Sequence, residues 1–155
     1  MITLQSSSQA KLEIEHLIID YEGTLAMDGR VHPKAKDKIN LLAKRLNIYI
    51  LVKGEQEKAE EVLKRVKAKI IFLKEPEPSA QKLEFLLNLG APKTGVIGNG
   101  EDDVPMSKEA GFSMAIIGKE GGSGELIQSA DLTFLTIVDA LDFLLKPLRQ
   151  KATLG

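Results

Sequence analysis

Short, nearly uninterrupted apolar runs alternate with segments of helical periodicity, and nothing else in the chain restricts its fold so much. Ile48-Tyr49-Ile50-Leu51-Val52, Ile70-Ile71-Phe72-Leu73, Thr94-Gly95-Val96-Ile97-Gly98 and Phe112 to Ile117 are strand-length and carry no polar alternation. That is the pattern of strands covered on both faces. Between them Ala35, Ile39, Leu42, Ala43 and Leu46 recur at helical spacing after Pro33, with Asn47 as the break. Ala59, Val62, Leu63 and Val66 form a second helical set, and Leu83, Leu86 and Leu87 a third, capped by Ser79 and closed at Leu89-Gly90. Two prolines make Glu75 to Ser79 a loop, and Ile137 to Leu145 is amphipathic. Strands alternating with helices predict an α/β fold, a mostly parallel sheet with helices on both faces and right-handed crossovers. At 155 residues the length prior gives a single domain, 1–155. Its core is expected over about 14–145, with an edge strand or hairpin in 1–12, a polar turn at Ser6 to Ser8, and a tail over 146–155 anchored through Leu148 and Leu154.

The stretch Leu17-Ile18-Ile19-Asp20-Tyr21-Glu22-Gly23-Thr24-Leu25 turns this fold toward chemistry. Ile14, Leu17, Ile18 and Ile19 read as a strand, and Gly23-Thr24 breaks it. A carboxylate at the carboxyl end of a buried strand lies where open α/β sheets bind ligands. Glu101, Asp102 and Asp103 follow another core strand, so a parallel sheet brings both acidic sets to one edge. Carboxylates gathered there repel unless a cation intervenes, and magnesium, which takes hard oxygen ligands and keeps exchangeable waters, is the natural one. Lys82, just after the proline loop, is placed to hold a phosphate oxygen. The plain alternative is that surface loops carry acids for solubility. Met27-Asp28-Gly29-Arg30 is a turn, and no cap domain fits between Leu25 and Pro33. His16 and His32 have no second histidine at ligand spacing and read as structural, and the glycines of Gly118 to Gly124 do not form a Walker loop.

Composition narrows the partners. The formal net charge of −1 gives no general attraction to nucleic acid. The absence of cysteine excludes disulfides and thiolate chemistry. No apolar run reaches membrane-spanning length, and the first residues lack the layout of a signal peptide, so the expectation is a cytoplasmic protein with no membrane partner.

Asp20-Tyr21-Glu22-Gly23-Thr24-Leu25 resembles the first motif of the haloacid dehalogenase-like hydrolases, usually Asp-x-Asp-Gly-Thr. Gly98-Asn99-Gly100-Glu101-Asp102-Asp103-Val104-Pro105-Met106 resembles their fourth, and its continuation, Lys108-Glu109-Ala110 and Met114-Ala115-Ile116, is similar to the phosphorylation domain of P-type ATPases. Lys82 stands where the third-motif lysine would be. The likeness covers roughly Ile14 to Leu145 and is closest to small P-type-ATPase-like members without membrane helices. It implies a Rossmann-like core with no cap, and a magnesium-dependent phosphatase acting on a small phosphomonoester through an aspartyl-phosphate. By the resemblance Asp20 attacks phosphorus, the Glu22 side chain serves as acid and then base, and Lys82 neutralises charge. Thr24, Lys53 and Asp102 bind phosphate or support the site. The metal is held by Asp20, the Glu22 backbone carbonyl, Asn99 and, through water, Asp103.

The departures from the pattern pull the other way. Glu22 is one methylene longer than the usual aspartate, Val52 replaces the second-motif Ser or Thr, and Asn99 replaces a metal-binding aspartate. The alternative is therefore a catalytically degenerate relative serving as a binding or assembly module. Cap-less members often oligomerise, which makes Ile2-Thr3-Leu4 and Leu148 to Leu154 candidates for contacts in a homo-oligomer; the other reading packs both segments on their own domain.

Overall fold

The computed structural model of the chain describes residues 1–6, 11–74 and 76–155. The expected turn at Ser6 to Ser8 lies outside them except for Ser6, as does Glu75 of the expected loop. The chain begins with an antiparallel pair, β1 (Ile2–Leu4) and β2 (Leu12–Ile14), and enters the main sheet with β3 (His16–Asp20). A small hairpin, β4 (Ala26–Met27) and β5 (Arg30–Val31), takes the place where a cap domain would be inserted. Then come α1 (Pro33–Leu42), β6 (Asn47–Val52), α2 (Gln56–Leu63), β7 (Lys69–Phe72), α3 (Pro78–Leu89) and β8 (Thr94–Gly98). The chain closes with α4 (Val104–Glu109), β9 (Phe112–Ile116), α5 (Gly124–Ser129), β10 (Leu132–Phe134), α6 (Ile137–Leu145) and α7 (Pro147–Leu154).

The six-stranded sheet runs β10-β9-β8-β3-β6-β7, every neighbour parallel. After β3 the chain builds outward through β6 and β7, then returns to β3's other side with β8. The reversal makes the carboxyl end of β3 the switch point, where such sheets open a crevice. Strand alternation divides the core. Leu17, Ile19, Ile50, Val52 and Ile97 join the layer with α1, α2 and α6, whereas Ile18, Leu51 and Val96 face Leu86 of α3 and Met106 of α4. Asp20 has the parity of Ile18, so its side chain is directed to the α3 layer.

Several boundaries differ from those expected. Ile14 pairs with Ile2 in β2 instead of extending β3. Helix α1 stops at Leu42; Leu46 is buried beyond it, and Asn47 begins β6 instead of ending a helix. Val66 lies past α2. The β7 strand is the sheet edge, so its apolar residues are only half-buried. Pro78 and Ser79 belong to α3: a proline in the first turn removes only an N–H that has no helical partner, and Glu77, not Ser79, is the N-cap. The expected tail is helix α7. Its Gln150 amide donates to the carbonyls of Phe143 (2.8 Å) and Leu144 at the end of α6, which lack helical partners. Leu148 is 82% exposed and anchors nothing, while Leu154 packs against the core. Ile2 and Leu4 are buried within this chain. His32 caps α1, its Nδ1 accepting from Lys34 N, and His16 pairs with Asn47 and meets Tyr49 edge-on.

Asp142 of α6 ties the helical layer together, within ion-pair distance of Lys38, Lys146 and Arg149. Burial opposes its charge, but the Lys38 hydrogen bond and the three cations hold its pKa below the ordinary value. A depressed carboxylate pKa contributes stability above the unfolded value, and that stability is lost as pH falls through the folded one. Asp142→Asn should therefore lower Tm at pH 7, with the gap to the parent narrowing below about pH 4. A gap constant from pH 7 to pH 3 in thermal melts would disprove this.

Candidate active site

The cluster starts from Asp20, 1% exposed at the end of β3. Its Oδ1 accepts from Lys82 Nζ at 2.8 Å, and its Oδ2 lies 3.1 Å from Thr24 Oγ1. Lys82 arrives because α3 buries one stripe: Lys82 and Leu86, four residues apart, are its buried residues. The fully buried ammonium also donates to Asp103 Oδ1 at 2.7 Å and Asp102 Oδ2 at 3.0 Å. The same Asp102 oxygen pairs with Lys53 Nζ at 2.9 Å. Asp103 turns its other oxygen to the backbone N–H groups of Asn99 and Gly100, both at 3.1 Å, and so shapes the loop after β8. Gly98 makes room for this carboxylate; a Cβ there would lie 2.6 Å from Asp103 Cγ. At Gly23, with φ +80°, a Cβ would meet Asn99 Nδ2 at 2.4 Å, so that position needs glycine both for its backbone and for the close approach.

Electrostatics follow from the burial. Desolvation and the charge of Asp103 push the Asp20 carboxyl well above its ordinary pKa, against the attraction of Lys82. Burial opposes charge on Lys82, but Asp20 and Asp103 outweigh it and raise its pKa. Burial also works against the Asp102 carboxylate, and Lys53 and Lys82 overcome it, leaving its pKa lowered. Lys53 shows the reciprocal balance, raised by Asp102 against its own partial burial.

Among the described residues no three His, Cys, Asp or Glu side chains form a ready metal cage; Asp103 gives both oxygens to protein donors. The donor chemistry nevertheless fits a hard divalent cation beside Asp20. Thr24 Oγ1 touches Asp20 Oδ2 at 3.1 Å and Asn99 Oδ1 at 3.0 Å, yet a hydroxyl has one proton to donate. The Asn99 amide is oriented by its Nδ2, which donates to the Gly121 carbonyl at 3.3 Å. One acceptor contact beside an ionised Asp20 is thus left without a proton, and a cation there would satisfy it, as would a proton on Asp20.

Every residue expected at the site from sequence is in or beside this cluster, and the Glu22 side chain is engaged by main-chain donors. Its carboxylate accepts from Lys53 N at 3.1 and 3.2 Å and Gly54 N at 2.8 Å. Backbone donors carry no sequence signature, and only the extra methylene of Glu22 signalled a different reach. Unforeseen, too, are the Gly121 carbonyl on Asn99 and Glu120, whose carboxylate accepts from Asp28 N and ties the β4–β5 hairpin to the glycine-rich loop.

An acid-tipped central strand, an acidic loop after its neighbour and a buried lysine from the covering helix are arranged as in the haloacid dehalogenase-like hydrolase fold, and the chain has that fold, with no separate cap domain among the described residues. It superposes on the cobalt-bound form of a deoxy-D-mannose-octulosonate 8-phosphate phosphatase from Haemophilus influenzae with a TM-score of 0.71, at 17% identity over 90% of each chain. A 3-deoxy-D-manno-octulosonate 8-phosphate phosphatase from Moraxella catarrhalis, in complex with magnesium, phosphate and the sugar acid, gives 0.71 at 15% identity over 85% of this chain and 86% of that one. A Streptomyces avermitilis structure assigned to the HAD family of hydrolases gives 0.71 at 17% identity, over 94% and 97%. An uncharacterized protein of Methanocaldococcus jannaschii is 44% identical over 57 residues, 37% of this chain and 61% of that protein's length. No family model matches the chain. Among the described residues no helix is long and apolar enough to cross a membrane.

Proposed function

We propose that the chain is a magnesium-dependent phosphatase that cleaves a small phosphomonoester through a phosphoryl group carried on Asp20. The observation that carries this reading is the buried Asp20 carboxylate held 2.8 Å from the Lys82 ammonium at the sheet's switch point. Asp20 is the nucleophile: the phosphorus–oxygen ester bond breaks as the Asp20 oxygen bonds to phosphorus, the alcohol leaves with a proton from water or an acid, and a water then attacks the phosphoaspartate, freeing inorganic phosphate and returning the Asp20 carboxylate. Lys82 stands against the growing negative charge on the phosphoryl oxygens. Thr24 fixes the Asp20 rotamer, and Lys53 and Asp102 complete the charged wall. Asp20, the Glu22 carbonyl and Asn99 would hold the metal, with Asp103 behind them. Bound there, magnesium supplies Lewis-acid polarisation of a phosphoryl oxygen. The solved octulosonate phosphatases support a small phosphorylated substrate, and the continuation of the acidic loop in Lys108-Glu109-Ala110 and Met114-Ala115-Ile116 supports a relation to P-type-ATPase-like members.

The test is a panel of aryl and sugar phosphates with and without magnesium, with Asp20→Asn as the control. Metal-dependent release of phosphate that the variant lacks is expected; identical rates for both proteins would overturn the reading. A binding or assembly module remains the second reading because Val52 is buried in the core and brings no hydroxyl to the site.

Asn99→Asp adds a charge where the neutral amide stands. It should tighten magnesium by about 1–2 kcal/mol, given the strength of charge interactions in a partly desolvated site. Because the Nδ2–Gly121 hydrogen bond is lost, the metal-free variant should also melt lower, by about 1 kcal/mol of stability. Calorimetric titration without phosphate reads the first effect, and equal or weaker magnesium binding would remove residue 99 from the ligand set.

A further inference from the structure

Two consecutive backbone N–H groups, those of Lys53 and Gly54, point at one carboxylate. Successive backbone amides of this kind form a concavity suited to an anion. They follow β6, whose Leu51 is in register with Asp20, so the amides stand at the same sheet edge as the nucleophile, one strand away. Their ligand in this structure is the chain's own Glu22, two residues past Asp20. We propose that Glu22 is an internal competitor for phosphoryl oxygens: its carboxylate fills the Lys53–Gly54 amide pair in the resting chain and must vacate it before a phosphate is bound there.

The inference rests on the phosphatase reading of Asp20 and deepens it. Glu22 and a phosphoryl group offer the same feature to these donors, an oxygen bearing negative charge, and both cannot occupy them. The contact also engages the Glu22 carboxylate, so it is not free to act as an acid while it is held there. When the carboxylate leaves, the amides lose a charge-assisted hydrogen bond and the site gains an anion subsite and a mobile acid together. The Lys53 side chain keeps the loop in place meanwhile through Asp102 at 2.9 Å. Reach decides the occupancy. An aspartate at position 22 is shorter by one carbon–carbon bond, about 1.5 Å, and cannot span to both amides from the same backbone.

The experiment follows inorganic phosphate binding with magnesium present, by calorimetry and by the amide resonances of Lys53 and Gly54. Four proteins are compared: the parent, Glu22→Asp, Glu22→Ala and Glu101→Gln. Glu22→Asp keeps the charge and loses the reach; Glu101→Gln loses a charge from an exposed position in the acidic loop. An occluded site binds with an affinity reduced by the fraction of open chains, so Glu22→Asp and Glu22→Ala should each bind phosphate about tenfold more tightly than the parent if one chain in roughly ten is open. The two amide resonances should shift on removing the carboxylate and shift again with phosphate, while Glu101→Gln changes affinity less than about twofold, as expected of a screened surface charge. Unchanged affinity in both Glu22 variants, or an equal gain from Glu101→Gln, overturns the competitor while phosphate binding itself still stands. Absence of phosphate binding in all four proteins overturns the phosphatase reading and the competitor with it.

Discussion

Lys82→Ala should destabilise the chain by about 3–5 kcal/mol, the cost of stripping a buried charge cluster of its counter-ion. For a chain of this size that is a fall in Tm of very roughly 6–20 °C. The size follows from the geometry. One ammonium, with no exposed surface, lies within 2.7 to 3.0 Å of Asp20, Asp102 and Asp103. Without it Asp20 and Asp103, at 1% and 0% exposure, face one another in a region water does not reach. Lys53 still neutralises Asp102, but its ion pair is with that residue, and it reaches Asp20 only through a weaker attraction. The pH dependence identifies the cause. Carboxyl groups whose folded pKa is raised contribute stability at low pH that is lost as pH rises through that value. The deficit of Lys82→Ala should accordingly grow from pH 5 to pH 8. Asp20→Asn placed in the same chain should restore part of it, because the two changes act on one pair and are not additive. A Lys82→Ala protein melting within about 2 °C of the parent at pH 7.5 would mean the cluster contributes less than about 1 kcal/mol.

The same lysine shows what sequence discloses. The stripe read from sequence was Leu83, Leu86 and Leu87, yet Leu87 is 55% exposed and it is Lys82 that shares the buried face with Leu86, so the burial of the cation was not legible. Asp20 and Asp103 were legible: each follows an apolar run that reads as a covered strand, and parallel strands deliver their ends to one edge. Strand order, and thus the switch point between β3 and β8, is set by long-range pairing and was not written in any local pattern. The start of α3 was misplaced because proline was taken as a breaker, although Pro78 occupies a position where helices accept it. The polar carboxyl-terminal segment looked like a tail; what makes α7 stay is Gln150 reaching the last carbonyls of α6, a contact with no hydrophobic signature. The position of Glu22 was the least legible feature of the site, since its partners are main-chain amides that any residue pair would supply. Thr24 was read as a turn and supporting residue; its hydroxyl contact joining Asp20 to Asn99 was not foreseen.

Asp20→Asn should yield a protein with no phosphatase activity and a higher melting temperature than its parent in metal-free buffer at pH 7.5. The loss is chemical: an amide does not form the acyl phosphate. The gain comes from burial. Asp20 sits where desolvation and Asp103 raise its pKa, which means its ionised form is disfavoured by the fold. Ionisation then costs stability as pH rises through the folded value, and asparagine avoids that cost at every pH. Hydrogen bonding favours the amide as well. With its Oδ1 toward Lys82, its Nδ2 donates to Thr24 Oγ1, and the Thr24 proton is released to Asn99 Oδ1. The contact that lacks a proton in the parent is thereby satisfied. Lys82 loses one partner but keeps Asp102 and Asp103. If the net gain is about 1–2 kcal/mol, as for one hydrogen bond gained in a largely buried cluster, Tm rises by about 2–8 °C. The difference should shrink as pH falls through the raised folded value, where Asp20 takes up its proton, and shrink again with millimolar magnesium, which binds and stabilises only the parent's carboxylate strongly. Thermal melts of both proteins at pH 4.5 and 7.5, each with and without magnesium, give the four values required. A lower metal-free Tm for Asp20→Asn at pH 7.5 would show that the attraction of Lys82 outweighs burial and that the Asp20–Lys82 pair stabilises the fold as an ion pair.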